Sequence, residues 1–234
     1  MICGRYSIPV FISRKQDVNG ECYPVNIPHG EQSTGTLPTG KKMEHGKTFT
    51  THWSSSYEYN RGKKPYPTAA ILDSQSSKTT ECAKNNSPCG YDAGKKIKGR
   101  KRHILVDTLG LIIATIVHSA GIQDRDGGRY VLGKAKTKGH HKLKVWVDGG
   151  YTGKLIMWAK DVLDYDLEVV KRSDINKHVF KVLPKRWIVE RTLSWLSRYR
   201  RLSKDYEYAT SSEQAFIHLA MIRVMLLKIE KEYV

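Results

Sequence analysis

Five short runs of apolar, often β-branched residues set the fold that this chain can adopt. Each run has the length of a strand and is short for a helix. Helix-like segments lie near 124–136, 153–163, 184–200 and 211–229. The order strand, strand, strand, helix, strand, helix, strand, helix, helix predicts an α/β fold, a mixed five-stranded sheet with flanking helices. The predicted strands are Ala69–Ser74, His103–Asp107, Leu111–Val117, Leu143–Val147 and Leu167–Val170.

Residues 1–66 differ in character from the rest of the chain. They are rich in Gly, Ser, Thr, Pro and Asn, and their apolar residues follow neither the helical nor the strand period. Such a segment cannot bury enough apolar surface to offset the entropy lost when its backbone is ordered. We therefore expect a poorly ordered, degenerate segment at 1–66, followed by one domain at 67–234.

Basic residues greatly outnumber acidic ones, with 40 Lys and Arg against 23 Asp and Glu and a formal net charge of +17. This surplus favours nucleic acid as the partner, because Lys and Arg release the counterions condensed on it. No apolar run is long enough for a membrane span, and the first residues do not resemble a secretory signal. The four cysteines form no CxxC pair and are interpreted as reduced thiols. We expect a cytoplasmic, nucleoid-associated protein that binds double-stranded DNA, without a membrane or small-molecule partner.

The segment 95–102 carries six positive charges in eight residues. It ends a polar loop, which we expect to reach about Gly99, and leads into the second predicted strand. Such runs are often solubilising loops, but this position favours a clamp on the phosphate backbone. A second basic patch accompanies the helix near 184–200. The predicted DNA-binding residues are Lys95, Lys96, Lys98, Arg100, Lys101, Arg102, Arg186, Arg191, Arg198 and Arg201.

Three carboxylates are candidates for chemistry on phosphodiesters. Asp73 and Asp148 end apolar strands, and Glu190 lies on a helix beside Arg186. Taken singly, each aspartate has a plain role as a turn former or helix cap, and Glu190 as an ion-pair partner of Arg186 worth a few tenths of a kcal/mol. Together, in so basic a chain, they suit a site where carboxylates hold divalent cations.

Two further acids have structural interpretations. Asp107 is expected to belong to the turn between the second and third strands. Asp124 is expected to cap the helix that follows Gln123.

Five ordered motifs in roughly 67–229 resemble bacterial insertion-sequence transposases with a DDE triad. Within the insertion sequence four/five superfamily, the similarity is greatest to the insertion sequence five-like branch. The resemblance implies an RNase H-like fold and assigns the family's catalytic, metal-binding acids to Asp73, Asp148 and Glu190. The motifs are Ile71–Ser76, Gly90–His103, Gln123–Asp126, Val147–Tyr151, and Arg186–Arg191 followed by Trp195–Leu196.

The resemblance also implies a reaction and its partners. Two Mg²⁺ or Mn²⁺ ions would activate water to cut at the transposon end, and the freed 3′ hydroxyl would attack target DNA. The partners would be transposon-end and target double-stranded DNA, with a homo-oligomer assembled on the DNA. Relatives carry a helical end-binding region before the first acid, which 1–66 lack, so a truncated or inactive copy is one interpretation. An RNase H-like nuclease without rejoining and a non-catalytic DNA-binding relic are the alternatives.

Overall fold

The computed structural model describes residues 66–80, 88–170 and 185–233. The expectation for 1–66 falls, apart from Tyr66, outside these described residues. Six strands occur in them: β1 (Ala69–Lys78), β2 (Gly90–Asp92), β3 (Ile97–Asp107), β4 (Ile112–Ser119), β5 (Leu143–Val147) and β6 (Tyr165–Val169). The helices are α1 (Asp124–Thr137), α2 (Lys154–Leu163), α3 (Arg186–Ser197), α4 (Arg200–Ser203) and α5 (Thr210–Tyr233).

The strands form one mixed sheet with β1 at its centre. β3 pairs antiparallel with β1 and with β4, and also with the short β2. On the other edge of β1 lie β5 and then β6, both in parallel pairing. The five long strands therefore follow the order β4-β3-β1-β5-β6, the arrangement of an RNase H-like fold. The predicted α/β class and all five predicted strands are confirmed.

Both faces of the sheet are covered, which explains why the strand sequences are nearly continuous in apolar residues. Because neighbouring strand residues point to opposite faces, Ile71 packs on the side of α3 and α5, and Leu72 packs on the side of α1 and α2. Val189 and Leu196 anchor α3 on the first face and are fully buried. The helices are thereby held at fixed positions over the sheet.

Two strands are longer than expected. β1 continues past Ser74 to Lys78, and β3 begins at Ile97, inside the segment expected to be a polar loop up to Gly99. The two strands pair over this added length, from Gln75 opposite Arg102 to Lys78 opposite Gly99. Polar residues can occupy these strand positions because their side chains form hydrogen bonds and ion pairs inside the protein.

Asp107 accepts hydrogen bonds from the backbone N–H groups of Leu109 (2.7 Å) and Leu111 (2.9 Å), so its predicted place in the hairpin turn is confirmed. Cys89 has a free thiol. Within the three described ranges, no helix has the length and apolar character needed to cross a membrane.

Candidate active site

Asp73 on β1 and Asp148 immediately after β5 are neighbours at the centre of the sheet. β1 pairs with β5 so that Ile71 is opposite Trp146, and the same register continued by two residues brings Asp73 beside Asp148. Asp148 follows the last residue of β5, as expected. Asp73 lies inside β1 and not at its end, which corrects the expectation for this residue.

Arg186 and Glu190 reach the two aspartates from α3, one helical turn apart. The Arg186 Nη2 atom lies 3.3 Å from Asp73 Oδ2, 3.8 Å from Asp148 Oδ2 and 3.7 Å from Glu190 Oε1. The structure therefore brings the three predicted acids together around one guanidinium nitrogen. We call these three carboxylates the acid cluster.

Backbone N–H groups fix the orientation of both aspartates. Asp73 Oδ1 accepts a hydrogen bond from the Ser74 N–H at 2.7 Å, and Asp148 Oδ1 accepts one from the Gly150 N–H at 2.9 Å. In each case the second oxygen faces Arg186. A Cβ at Gly150 would lie 3.1 Å from Asp148 Oδ1, so glycine leaves room for this tight turn.

The acid cluster changes from buried to exposed across its width. The exposed side-chain fraction is 13% for Asp73, 31% for Asp148 and 55% for Glu190. Burial raises the pKa of Asp73, and the nearby charge of Asp148 adds to this rise, whereas the Ser74 N–H and Arg186 oppose it. The cluster thus combines one desolvated carboxylate with two that solvent or substrate can reach.

The donor set of the acid cluster fits a hard divalent cation. Carboxylate oxygens are the ligands that Mg²⁺ takes in proteins, with the remaining positions left to water and substrate phosphate. Nevertheless, no group of three or more His, Cys, Asp and Glu side chains in the described residues has the spacing of a ready-made metal site. Arg186 is the cation that the acids surround in this arrangement.

Asp124 is a fourth acid near the cluster, and its predicted role as a helix cap is wrong. The N-cap of α1 is Gln123, without a side-chain capping bond, and Asp124 is the first helical residue. Its Oδ1 accepts a hydrogen bond from Ser74 Oγ at 2.8 Å and pairs with Lys101 Nζ at 3.1 Å. Asp124 therefore connects α1 to the residue that follows Asp73.

A buried aromatic group supports the turn after Asp148. The Tyr151 hydroxyl and His103 Nδ1 share a hydrogen bond of 2.9 Å, and the His103 ring stacks on His118 with centroids 4.8 Å apart. Burial lowers the pKa of His103 to about 3, and nearby His118 adds to the effect. A Cβ at Gly127 would lie 2.3 Å from His103 Nε2, so α1 can approach the rings only with glycine there. Tyr151 belongs to one of the motifs, but no sequence pattern indicated its contact with His103.

Half of the basic run lies inside the protein. Lys95, Lys96 and Lys98 are exposed, whereas Arg100, Lys101 and Arg102 are buried at 0%, 4% and 1% exposure. A DNA backbone cannot reach side chains so enclosed, so the predicted phosphate contacts are wrong for these three residues. They point instead to internal acids.

Each buried cation of the run has an acidic partner. Arg100 pairs with Asp205 at 2.7 Å, Arg102 pairs with Glu213, and Lys101 pairs with Asp124. Burial raises the pKa of Glu213 to about 8, and the neighbouring Asp205 contributes to this rise while Arg102 opposes it. These contacts attach β3 to α1 and to the segment that includes the start of α5.

The basic residues of the second patch have different surroundings. Arg191 lies between the rings of Trp187 (4.6 Å) and Trp195 (4.7 Å) and donates a hydrogen bond to the Leu109 carbonyl. Arg198 is exposed. Arg201 is also largely exposed and pairs with Glu207 at 3.3 Å. Arg198 and Arg201 are thus open to a polyanion, whereas Arg191 is largely engaged within the protein.

Comparisons with known proteins identify a family. The model of the transposase DDE domain matches residues 65–225, which is more than half of the chain. Among curated proteins, none matches.

Several solved structures show remote likeness. The catalytic domain of Mos1 mariner transposase has 11% sequence identity and a TM-score of 0.33, with 82% of this chain and 93% of that chain covered. A Mos1 paired-end complex with the left transposon end has 13% identity and a TM-score of 0.26, with 61% and 46% covered. The Mos1 strand transfer complex has 11% identity and a TM-score of 0.32, with 86% and 63% covered. The chain thus spans about half the length of the first of these complexes and nearly two thirds of the second.

Proposed function

Because the chain belongs to the transposase DDE domain family, we propose that it is a DNA transposase that cuts at transposon ends and joins them to target DNA. The observation that carries this proposal is the convergence of Asp73, Asp148 and Glu190 on one nitrogen of Arg186. One domain at 67–234 would hold this activity, preceded by a separate segment at 1–66. The substrates would be double-stranded transposon ends and target DNA, bound by a homo-oligomer. The insertion sequence five-like branch stays a prediction.

The acid cluster would hold two Mg²⁺ or Mn²⁺ ions. Bound there, such ions activate a nucleophile and stabilise the attacking and leaving oxygens of a phosphodiester. The chain's own contribution is orientation: the Ser74 and Gly150 N–H groups each fix one oxygen of an aspartate and leave the other directed inward. Arg186 presents a guanidinium suited to a phosphate, and the exposed Lys95, Lys96 and Lys98 hold the backbone of the duplex.

The proposed reaction has two displacements at phosphorus. First, water gives up a proton to solvent and forms a bond to phosphorus at the transposon end, while the bond to the 3′ oxygen breaks and that oxygen takes up a proton to become a 3′ hydroxyl. Next, that hydroxyl gives up its proton to solvent and bonds to a phosphorus of the target, while the target's own 3′ oxygen leaves and takes up a proton. Both nucleophiles come from solvent or DNA, so no side chain needs to form a covalent intermediate.

Cleavage and joining of a labelled duplex carrying the element's ends test this proposal. We expect activity with Mg²⁺ or Mn²⁺ and none with Ca²⁺ or EDTA, because Ca²⁺ is larger and takes looser geometries. Asp73→Asn, Asp148→Asn and Glu190→Gln should each reduce cleavage to background while DNA affinity stays near that of the parent. Asp126→Asn is the matched control, since Asp126 is an exposed acid on α1.

Each alternative gives a different result in this assay. Cleavage without joining would indicate a nuclease, and binding without cleavage in any metal would indicate a relic. Undiminished cleavage by Glu190→Gln would reduce Glu190 to the ordinary helical ion-pair partner of Arg186.

A further inference from the structure

A polar cleft of about 360 Å³ opens next to the acid cluster. It lies between the β2–β3 turn and the start of α1, and Tyr91, Asp92, Lys101, Asp124, Arg125 and Gly150 are among its lining residues. Gly150 is two residues after Asp148, and Asp124 is hydrogen-bonded to Ser74, which follows Asp73. A strand whose phosphate lies at the acid cluster would therefore pass the mouth of this cleft.

The floor of the cleft carries two carboxylates and one ammonium group. Lys101 Nζ lies 3.1 Å from Asp124 Oδ1 and 3.5 Å from Asp92 Oδ2, and Asp92 Oδ2 also accepts a hydrogen bond from Ser76. The floor thus offers several polar groups and keeps one negative charge in excess. Such a surface suits the uncharged polar edge of a nucleobase better than a phosphate, which would meet two carboxylates.

The rim of the cleft has the groups that a nucleotide needs outside its base. Tyr91 on β2 is 56% exposed and leaves an aromatic face open. Exposed Arg125 lines the cleft, and Lys95, Lys96 and Lys98 continue along the adjoining turn and strand. Bases stack on such aromatic groups while the backbone follows nearby cations, the pattern found in single-strand binding grooves.

We propose that this cleft holds one unpaired base of the DNA strand next to the cut phosphate, stacked on Tyr91, with Arg125 at the adjoining phosphate. This inference rests on the proposed function, since it places the strand relative to the acid cluster. The cleft would add a preference for ends whose terminal pairs are already open. Its volume lies at the lower end of the range for small-ligand pockets, which matches one base and not a duplex.

Binding of single-stranded and duplex oligonucleotides to the full chain in EDTA tests the proposal, with fluorescence anisotropy as the readout. Tyr91→Ala should raise the Kd for single strands roughly 5- to 150-fold, because one base stack is worth about 1–3 kcal/mol. Tyr91→Phe should bind like the parent, since it keeps an aromatic face. Tyr130→Ala is the matched control, because Tyr130 is equally exposed on α1 and does not line the cleft. Duplex binding should change less than about twofold in all three variants.

Photo-cross-linking locates the contact independently. A single strand with one 5-iodouracil should cross-link to the peptide that contains Tyr91. Replacing that base by an abasic site should make the Kd values of Tyr91→Ala and the parent equal. An unchanged single-strand Kd for Tyr91→Ala overturns the proposal, and so does an equal loss for single strands and duplex.

The metal-dependent cleavage assay separates this inference from the proposed function. If the parent protein cleaves and Tyr91→Ala does not change single-strand binding, the proposed function is supported and the role of the cleft is contradicted. If the parent protein does not cleave but Tyr91→Ala weakens single-strand binding, the cleft is supported as a binding site and the proposed function is contradicted.

Discussion

Arg186 is the residue on which the geometry of the site depends most. One of its nitrogens lies within 4 Å of an oxygen from each of three carboxylates, which come from β1, the end of β5 and α3. If all three acids are ionised, one guanidinium leaves two negative charges uncompensated. Repulsion of this kind is strong where water is partly excluded, so we expect the acid cluster to bind further cations.

Thermal unfolding measures this cation binding without an assay of activity. We expect Mg²⁺ to raise the Tm of the parent, since an ion at 100 times its Kd stabilises by about 2.7 kcal/mol, or roughly 5–10 °C for a chain of this size. Arg186→Gln should lower the Tm in EDTA by removing the shared counter-charge, and should respond to Mg²⁺ more than the parent does. Arg129→Gln, which removes an exposed arginine from α1, is the matched control.

The aspartate variants test whether the Mg²⁺-dependent rise in Tm comes from the acid cluster. Asp73→Asn and Asp148→Asn should lose most of the Mg²⁺-dependent rise in Tm. A rise equal to that of the parent would place the ions elsewhere on the protein.

At the scale of elements, β3 shows where sequence reasoning succeeds and where it stops. Its apolar half, from His103 to Asp107, is recognisable because local β-branched patterns predict strands. Its basic half is not, because the partners that allow burial are remote: Asp205 follows Arg100 by 105 positions, and Glu213 follows Arg102 by 111. The three acids were identified through motifs, whereas their arrangement around Arg186 and the position of Asp124 depend on packing that no local pattern contains.

Burial of Arg102 should make it a major contributor to stability. Arg102→Met removes one member of a buried pair, which typically costs about 3–5 kcal/mol, and it also removes the hydrogen bond to the Leu202 carbonyl. The double variant Arg102→Met with Glu213→Leu should recover part of this loss, because no buried carboxyl group is left without its partner. Lys98→Met is the control, as it changes an exposed cation of the same strand.

Urea denaturation gives these free energies of unfolding. Equal stability of Arg102→Met and Lys98→Met would contradict the interior role of Arg102. It would also reopen the interpretation of the whole basic run as a surface loop.

At the scale of the whole molecule, the basic residues in the described ranges divide into cations paired with acids inside the protein and cations open to a polyanion. Replacing Lys95, Lys96 and Lys98 with Gln should reduce the slope of log K against log salt for duplex DNA by roughly 2.7, at about 0.9 per lost phosphate contact. Replacing Lys142, Lys144 and Lys160 removes the same charge from the opposite end of β5 and from α2. That control should change the slope much less, and equal slopes in the two triple variants would show that position does not matter.

The distribution of the acid cluster along the chain has a consequence for protein synthesis. Glu190 follows Asp73 by 117 positions, so a ribosome working at about 5–20 residues per second adds the third acid roughly 6–23 s after the first. A chain interrupted after Asp148 and before α3 carries both aspartates of the acid cluster but neither Arg186 nor Glu190. The acid cluster cannot form in such a fragment, because the helix that supplies Arg186 and Glu190 is missing. Under the proposed function, we expect a fragment that ends before α3 not to cut DNA.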